Sequence, residues 1–461
     1  MKKTVVINIV GLTKRLIGEH TPFINTFLEK GLSTTIKPMI PAVTCSIQST
    51  YLTGKTPSEH GIVGNGWYFK EEHEVKFWRQ SNSLVQSEKI WDVLKKEHKN
   101  FTCANHFWWY NMYSNADYSV TPRPNYLADG RKIPDVYSYP PELRDELQNK
   151  FGTFPLFSFW GPKTSIKSSQ WIADCAIWTD EIYNPTLTLI YIPHLDYNVQ
   201  KYGLNFSKIS KDLKEVDDIV KQLVDYYQKQ DSNIILLSEY GITDVNNPIH
   251  PNRILREKGL LNIRIERGLE LLDAGASKAF AVSDHQVSHI YLNDLSVKEE
   301  LVVLFKSVKG IEKVLVHDDI KKAHLNHSRC GDIVLVADKH SWFTYYFWLD
   351  DAKAPDYARM VDIHKKPGYD PVELTTNPKD LFVVPKIIFK LIKKKLGFRT
   401  LMNVIPLDAT LIKGSHGRIP ESKDDYPIFV TNSKDIIALN ETIEATDVFG
   451  LIHEHVSKKN N

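Results

Sequence analysis

Short runs of β-branched and aliphatic residues recur along this chain and alternate with stretches whose apolar residues return every three or four positions. Residues 4–10 form a run broken only by Asn8, and Gly11 leads from it toward a helical pattern near 22–30. Comparable runs lie at 186–192, 233–237 and 311–316, with amphipathic helical patterns at 213–227 (Val216, Ile219, Val220 and Val224 on one stripe) and 297–309. A brief continuous apolar run reads as a strand buried on both faces, and alternation of such strands with helices predicts α/β architecture around a mostly parallel sheet.

The pattern degrades in two places. From 67 to 139 the chain is rich in aromatics, Asn, Pro and Ser, with His106, Phe107, Trp108, Trp109 and Tyr110 in one cluster, and 151–178 adds Phe154, Trp160 and Trp171. Such a cluster serves either as one wall of a ligand pocket or as packing between a cap and the sheet. A second departure begins at 332 and passes through WFTYYFWLDD. The expectation is one domain over 1–461, a three-layer αβα sandwich, with aromatic-rich cap insertions at about 67–178 and 332–400. Within the second stretch Asp362 and His364, two positions apart, share a strand face and are weighed as a metal or acid–base pair. At 382–396, FVVPKIIFKLIKKKL sets Ile387, Ile388, Leu391 and Ile392 beside Lys386, Lys390, Lys393, Lys394 and Lys395. A basic amphipathic helix of this kind either packs its apolar face inward or touches an anionic membrane surface, and Pro385 is expected to limit its start.

Composition bounds the remaining classes. A chain of 461 residues, 42% hydrophobic and 25% charged, buries a large core and is neither disordered nor fibrous. The net charge of +2 lacks the strongly basic surface of a general nucleic-acid binder, so no nucleic acid polymer is expected as partner. The four cysteines, Cys45, Cys103, Cys175 and Cys330, form no C-x-x-C pair, which argues against a zinc knuckle or a disulfide scaffold and favours a reducing, cytoplasmic location. The opening MKKTVVINIVGL reads as a first buried strand rather than a leader, and no run approaches the length needed to span a bilayer.

The candidate chemistry lies at 41–68. After Pro41, residues 45–53 carry Ile47, Tyr51 and Leu52 at helical spacing until Gly54 ends the helix, which puts Thr44 at its start. A helix N-terminus presents unpaired N–H groups and the positive end of the peptide dipoles, so an anion held there lies beside the Thr44 hydroxyl. That arrangement suits attack on phosphorus or sulfur. The plain alternative is that Thr44 is only an N-cap.

Pro41, Thr44, Leu52, Thr53, Gly54, Pro57, His60, Gly61, Ile62 and Asn65 together resemble the nucleophile segment of the alkaline phosphatase superfamily, in its nucleotide pyrophosphatase/phosphodiesterase and phosphonoacetate hydrolase branch. The resemblance implies that Thr44 attacks its substrate between metal ions. It continues through Asp196 and Gly203, through Ser238-Glu239-Tyr240-Gly241 where the family has Ser-Asp-His-Gly, through Ser415-His416-Gly417, and to Asp447 as cap of the closing helix. Against a family set of three aspartates, three histidines and the nucleophile, this chain has Val10, Thr44, Asp196, Gln200, Glu239, Tyr240 and His416. Val10 cannot ligate and Tyr240 lacks the imidazole nitrogen.

The resemblance therefore implies Thr44 as catalytic nucleophile, with Gln48 and Asn65 as substrate contacts. It implies Asp196, His416, Glu239 and Gln200 as ligands of a divalent metal, zinc in the first instance, in a site reduced to about one ion. His194 is weighed as a donor compensating for Gln200, and His285 as a substrate contact or a structural histidine. The expected function is hydrolysis of a small phosphorylated or phosphonate substrate by a phosphodiesterase-like route. The alternatives are a pseudoenzyme that binds a phosphorylated metabolite without turnover, and a transferase that passes the group from Thr44 to an acceptor other than water.

Overall fold

The computed structural model describes residues 1–378, 380–434 and 440–458. Thirteen strands build its two larger sheets: β1 (Thr4–Ile9), β2 (Leu32–Lys37), β3 (Cys103–His106), β4 (Tyr118–Pro122), β5 (Val136–Tyr139), β6 (Leu187–Ile192), β7 (Asn233–Leu237), β8 (Ala279–Asp284), β9 (Val287–Leu292), β10 (Ile311–Leu315), β11 (Ile333–Ala337), β12 (Ile428–Thr431) and β13 (Thr442–Glu444). The main sheet has nine, in the order β13-β2-β12-β7-β1-β6-β3-β4-β5. Its central strands β7, β1, β6 and β3 run parallel, and β12 and β5 are antiparallel to their neighbours. Every residue of β1, β6 and β7 is buried, the burial that a parallel strand covered on both faces requires.

Helices α1 (Pro22–Lys30), α3 (Lys167–Tyr183) and α5 (Phe206–Gln228) pack together as one layer, and α2 (Thr44–Thr53) lies with α7 (Asp447–Ser457) in another. This is the expected three-layer α/β sandwich. Helix α5 starts seven residues before the predicted 213, because Ile209 extends the stripe of Leu213, Val216, Val220, Leu223 and Tyr227 by a further turn. Asp447 is not the cap expected of it: Thr446 holds that position, and the Asp447 carboxylate accepts from the Glu444 N–H at 2.9 Å.

The insertions fall differently from the expected ranges. The stretch 67–178 contributes β3, β4, β5 and helix α3 to the main sandwich. Phe107 and Trp108 are fully buried in the main core, where Phe107 packs on Phe154 with ring centroids 4.9 Å apart. The aromatic density there hid strands of only four or five residues, too short for a clear period. A second lobe, with its own core, is built on the four-stranded sheet β8-β9-β11-β10, so it begins well before residue 332. The C-terminal ends of β1, β6 and β7 point to one edge of the main sheet, where an α/β fold places its ligands.

The turn after β7 is held tightly at that edge. The Ser238 hydroxyl donates to the Leu12 carbonyl at 2.5 Å and accepts from the Ile428 N–H at 3.0 Å. A Cβ on Gly241 would lie 2.0 Å from the Asp425 carbonyl oxygen and 2.9 Å from Thr13 Cγ2. Since the first of these is backbone, Gly241→Ala is expected to cost about 3 kcal/mol and to lower Tm by roughly 5 °C in a thermal melt.

Candidate active site

Helix α2 begins at Thr44 itself, with Val43 in the extended N-cap position, and ends at Gly54 in the left-handed conformation, φ 65°. Thr44 is therefore not a cap. Its Oγ1 lies 3.1 Å from the Tyr240 hydroxyl, and Tyr240 in turn donates to Asp196 Oδ1 at 3.3 Å. Asp196 stands on helix α4 (His194–Tyr202). Because Gln200 follows one turn later, its amide N–H meets Asp196 Oδ2 at 2.8 Å, and its carbonyl accepts from the Tyr369 hydroxyl at 3.0 Å.

His416 reaches the same carboxylate from the far end of the chain. Its Nδ1 bonds the Ala42 carbonyl at 2.7 Å, which leaves the Nε2 lone pair facing Asp196 Oδ1 at 3.9 Å. The Tyr240 ring stacks on the His416 ring at 3.5 Å between centroids, 6° from parallel. His285 stacks between His416 and Tyr369, at 3.7 Å from each.

Two polar brackets hold the nucleophile segment. Glu239 Oε1 accepts from Asn8 Nδ2 at 2.6 Å and from Gln48 Nε2 at 2.5 Å, while the Gln48 carbonyl accepts from the Trp109 backbone N–H at 2.6 Å. On the other side Asn65 Oδ1 accepts from the Cys45 N–H at 3.0 Å, at the first turn of α2, and Asn65 Nδ2 donates to Asp284 Oδ1 at 3.1 Å. Asp284 Oδ1 also holds His285 Nδ1 at 2.8 Å.

Burial dominates the electrostatics. It pushes the Asp196 carboxyl up to about 7 against the opposing pull of Gln200 and Tyr240, and Glu239 up to about 8 against Gln48 and Asn8. Asp284 rises to about 6 for the same reason, although the Asn65 N–H groups favour its charge. Burial drives His285 and His416 well below the ordinary histidine value, so both are neutral. Glu239 Oε2, His416 Nε2 and His285 Nε2 are buried without a hydrogen-bond partner, a concentration of orphaned polar atoms that marks a site for a polar ligand. Thr44 is 4% exposed. Two surface concavities, of about 820 and 570 Å³, lie elsewhere, one along Gln86–Lys96 and Ser114–Asp117, the other between Glu72–Val75 and Leu271–Gly275.

A sequence model of the family described as type I phosphodiesterase / nucleotide pyrophosphatase matches residues 4–370. The chain belongs to that family. It is 24% identical over 388 residues to ectonucleotide pyrophosphatase/phosphodiesterase 2 of Saccharomyces cerevisiae, covering 78% of this chain and 68% of that protein. It is also 24% identical over 295 residues to ectonucleotide pyrophosphatase/phosphodiesterase 1 of the same yeast, of whose length it spans only 36%. Among solved structures it resembles phosphonoacetate hydrolase of Sinorhizobium meliloti in complex with phosphonoformate, with TM-score 0.62, 12% identity, and coverage of 99% of this chain and 96% of that one. It similarly resembles murine ectonucleotide pyrophosphatase/phosphodiesterase 5, captured in an inactive form with AMP, with TM-score 0.61, 14% identity, and coverage of 100% and 96%. At these identities the structural likeness establishes the alkaline phosphatase fold.

The phosphodiesterase family is metal-dependent, and the donors present do not fit a two-ion centre. Val10 is fully buried in the main core and offers no lone pair. Tyr240 lies flat on His416 and uses its hydroxyl to bridge Thr44 and Asp196. Of the four expected ligands, Gln200 is otherwise engaged, its amide N–H on Asp196 and its oxygen on Tyr369, while Glu239 Oε1 takes two amide donors and its Oε2 is left unpartnered. Asp196 and His416 do face one another, with His416 Nδ1 anchored as a metal-binding imidazole is anchored. Those two donors are one fewer than a catalytic zinc holds.

Gln48 and Asn65, expected on substrate, use their amides within the brackets instead. His194 does not compensate for Gln200: its Nε2 turns to Asp212 at 2.9 Å and Glu215 at 3.4 Å on α5, a group with ligand atoms within 4.8 Å of one another. Asp362 and His364 do not join the site either, since Asp362 pairs with Lys365 at 3.4 Å and His364 Nδ1 lies 3.4 Å from the Phe77 carbonyl. The residues that sequence reasoning missed are Asp284 and Tyr369, together with Asn8. The sole signal in the chain for Asn8 was a polar residue interrupting a buried strand.

Proposed function

We propose that this chain hydrolyses a small phosphate ester, a phosphodiester or nucleotide pyrophosphate in the first instance, with Thr44 as nucleophile. The observation that carries the reading is the relay Thr44 hydroxyl, Tyr240 hydroxyl, Asp196 carboxylate, at 3.1 and 3.3 Å, set at a helix N-terminus. The first-turn amides of α2 other than that of Cys45, which Asn65 holds, receive the phosphoryl oxygens. As Thr44 Oγ1 bonds to phosphorus, its proton passes to Tyr240 while the Tyr240 proton passes to Asp196. The ester P–O bond breaks, and Asp196 returns a proton to the departing alcohol. Water then opens the phosphothreonine by the same path in reverse, restoring the Thr44 hydroxyl. A carboxyl with pKa about 7 is suited to accept and return that proton at neutral pH.

Asp196 and His416 alone fall one donor short of a catalytic zinc site, and the relay needs Asp196 free to take up a proton, so no step is assigned to a metal ion. The cytoplasmic location belongs to the same proposal and rests on four buried, free cysteines.

The second reading, a binding protein that does not turn its ligand over, is favoured by the near-complete burial of Thr44 and by the loss of Val10 and Tyr240 as ligands. Metal analysis of the purified protein, with assays on bis(4-nitrophenyl) phosphate and 4-nitrophenyl phosphate with and without added divalent ions, separates the two. Hydrolysis is expected from the first reading. Calorimetric binding of AMP without turnover under any ion supports the second, and product formed only with an added alcohol acceptor supports a transferase.

A further inference from the structure

Helix α6 (Val383–Lys395) forms where expected, with Pro385 in its first turn, where a missing N–H leaves no bond unmade. None of its residues is buried. Leu381, Phe382, Val384, Ile388, Phe389, Leu391, Ile392, Leu396, Phe398 and Leu401 are between 43 and 88% exposed, a contiguous apolar surface on one helix and its following turn. At 3.6 residues per turn Lys386, Lys390, Lys393 and Lys394 fall within an arc of about 100°, opposite Val384, Ile388 and Leu391, while Lys395 at the last helical position falls on the apolar side. Arg399 adds a cation just beyond, and no acidic residue occurs between 381 and 402.

Among the described residues the helix's side-chain ties run to its own insertion: Lys386 pairs with Asp380 at 2.7 Å, and Lys390 donates to the Leu401 carbonyl at 2.7 Å. An ordinary surface helix turns its apolar stripe inward, and this one does not. An apolar face of this size is more than a soluble surface ordinarily leaves to water.

We propose that α6 docks this protein on an anionic lipid surface, lying in the plane of the bilayer interface. Ile388, Phe389, Leu391 and Ile392 then enter the headgroup–acyl boundary, while the long lysine side chains bend back toward the lipid headgroups. Charge selects this occupant: five lysines and Arg399 with no acidic residue between 381 and 402 complement an anionic surface, whereas the same segment of a second copy brings only further positive charge. The insertion leaves the fold after Tyr369 and Glu373 and returns before His416, so both flanks of the docking helix lead into the candidate active site. No described helix is long and apolar enough to cross a membrane.

Co-sedimentation of the full chain with phosphatidylcholine vesicles, with and without about 30% phosphatidylglycerol, tests this. Partitioning onto the anionic vesicles is expected to be at least about tenfold stronger, and to weaken severalfold as NaCl rises from about 0.1 to 0.5 M. The triple variant Ile388→Asp, Phe389→Asp, Ile392→Asp is expected to lose binding to both vesicle types with Tm unchanged, since the three positions are exposed. Lys386→Glu with Lys390→Glu and Lys393→Glu is expected to lose the anionic preference alone. Absence of sedimentation, or sedimentation indifferent to the triple variant, overturns the proposal. So does a dimer in sedimentation velocity that the triple variant dissociates, because the covering partner is then a second copy.

Discussion

Thr44→Ala is expected to lose at least about a thousandfold in kcat on a nitrophenyl phosphodiester while keeping the melting temperature of the parent. The loss is large because the serines of the same helix are engaged elsewhere: Ser46 donates to the Ile62 carbonyl at 2.9 Å, and Ser49 to the Cys45 carbonyl at 2.7 Å. Stability is spared because Thr44 caps nothing and Val43 holds the N-cap position. Thr44→Ser, which keeps the hydroxyl, is expected to retain activity within about tenfold. Quenching a single turnover in acid should trap a phosphothreonine in the parent and none in Thr44→Ala. Equal rates in parent and Thr44→Ala would remove the nucleophile and with it the enzymatic reading.

Activity is also expected to rise as pH passes through about 7, because Asp196 accepts the Thr44 proton only when ionised. Above about 8, Glu239 ionises as well and places a second negative charge beside an anionic substrate, so the profile falls again. The two carboxylates share one site, and the limbs report the pair. Asp196→Asn should abolish the rising limb and lower kcat by about 10²–10⁴. Tyr240→Phe should cost a similar factor if the relay runs through its hydroxyl.

Stability should move the opposite way. With Asp196 raised in the folded state above its ordinary value of 3.8, the folded chain holds the extra proton between about pH 4 and pH 7. The stabilisation linked to that proton is complete below the unfolded value and is lost as pH rises through about 7. Asp196→Asn removes the ionisation, so its Tm should exceed the parent's at pH 8, with the gap narrowing toward pH 5, both measured in chelator. A variant that merely damaged structure would lose stability and activity together.

Where local pattern decides the outcome, the chain was legible from its residues. The apolar runs at 4–10, 186–192 and 233–237 became β1, β6 and β7 within a residue at each end, since a strand buried on both faces must be apolar throughout. Helix α2 and its end at Gly54 were readable for a comparable reason: helical spacing and a left-handed glycine are properties of neighbouring residues. The aromatic stretch was misread because β3, β4 and β5 are only four or five residues long, too short for an alternation or an apolar run to stand out among the surrounding aromatics.

By itself the sequence determined the α/β class, the helix that carries Thr44, and the substitutions Val10, Gln200, Glu239 and Tyr240 that set this chain apart within its family. The tertiary structure alone decided what those substitutions do. Tyr240 lies 196 positions from Thr44 along the chain, and Asn8 is separated from Glu239 by 231. Only the meeting of three strand ends at one sheet edge turns an unexpected tyrosine into a bridge between nucleophile and carboxylate, and a polar interruption in a strand into a clamp on Glu239. A hydrogen bond depends on distance and direction between groups, and neither is written in the residues until the sheet has brought them together.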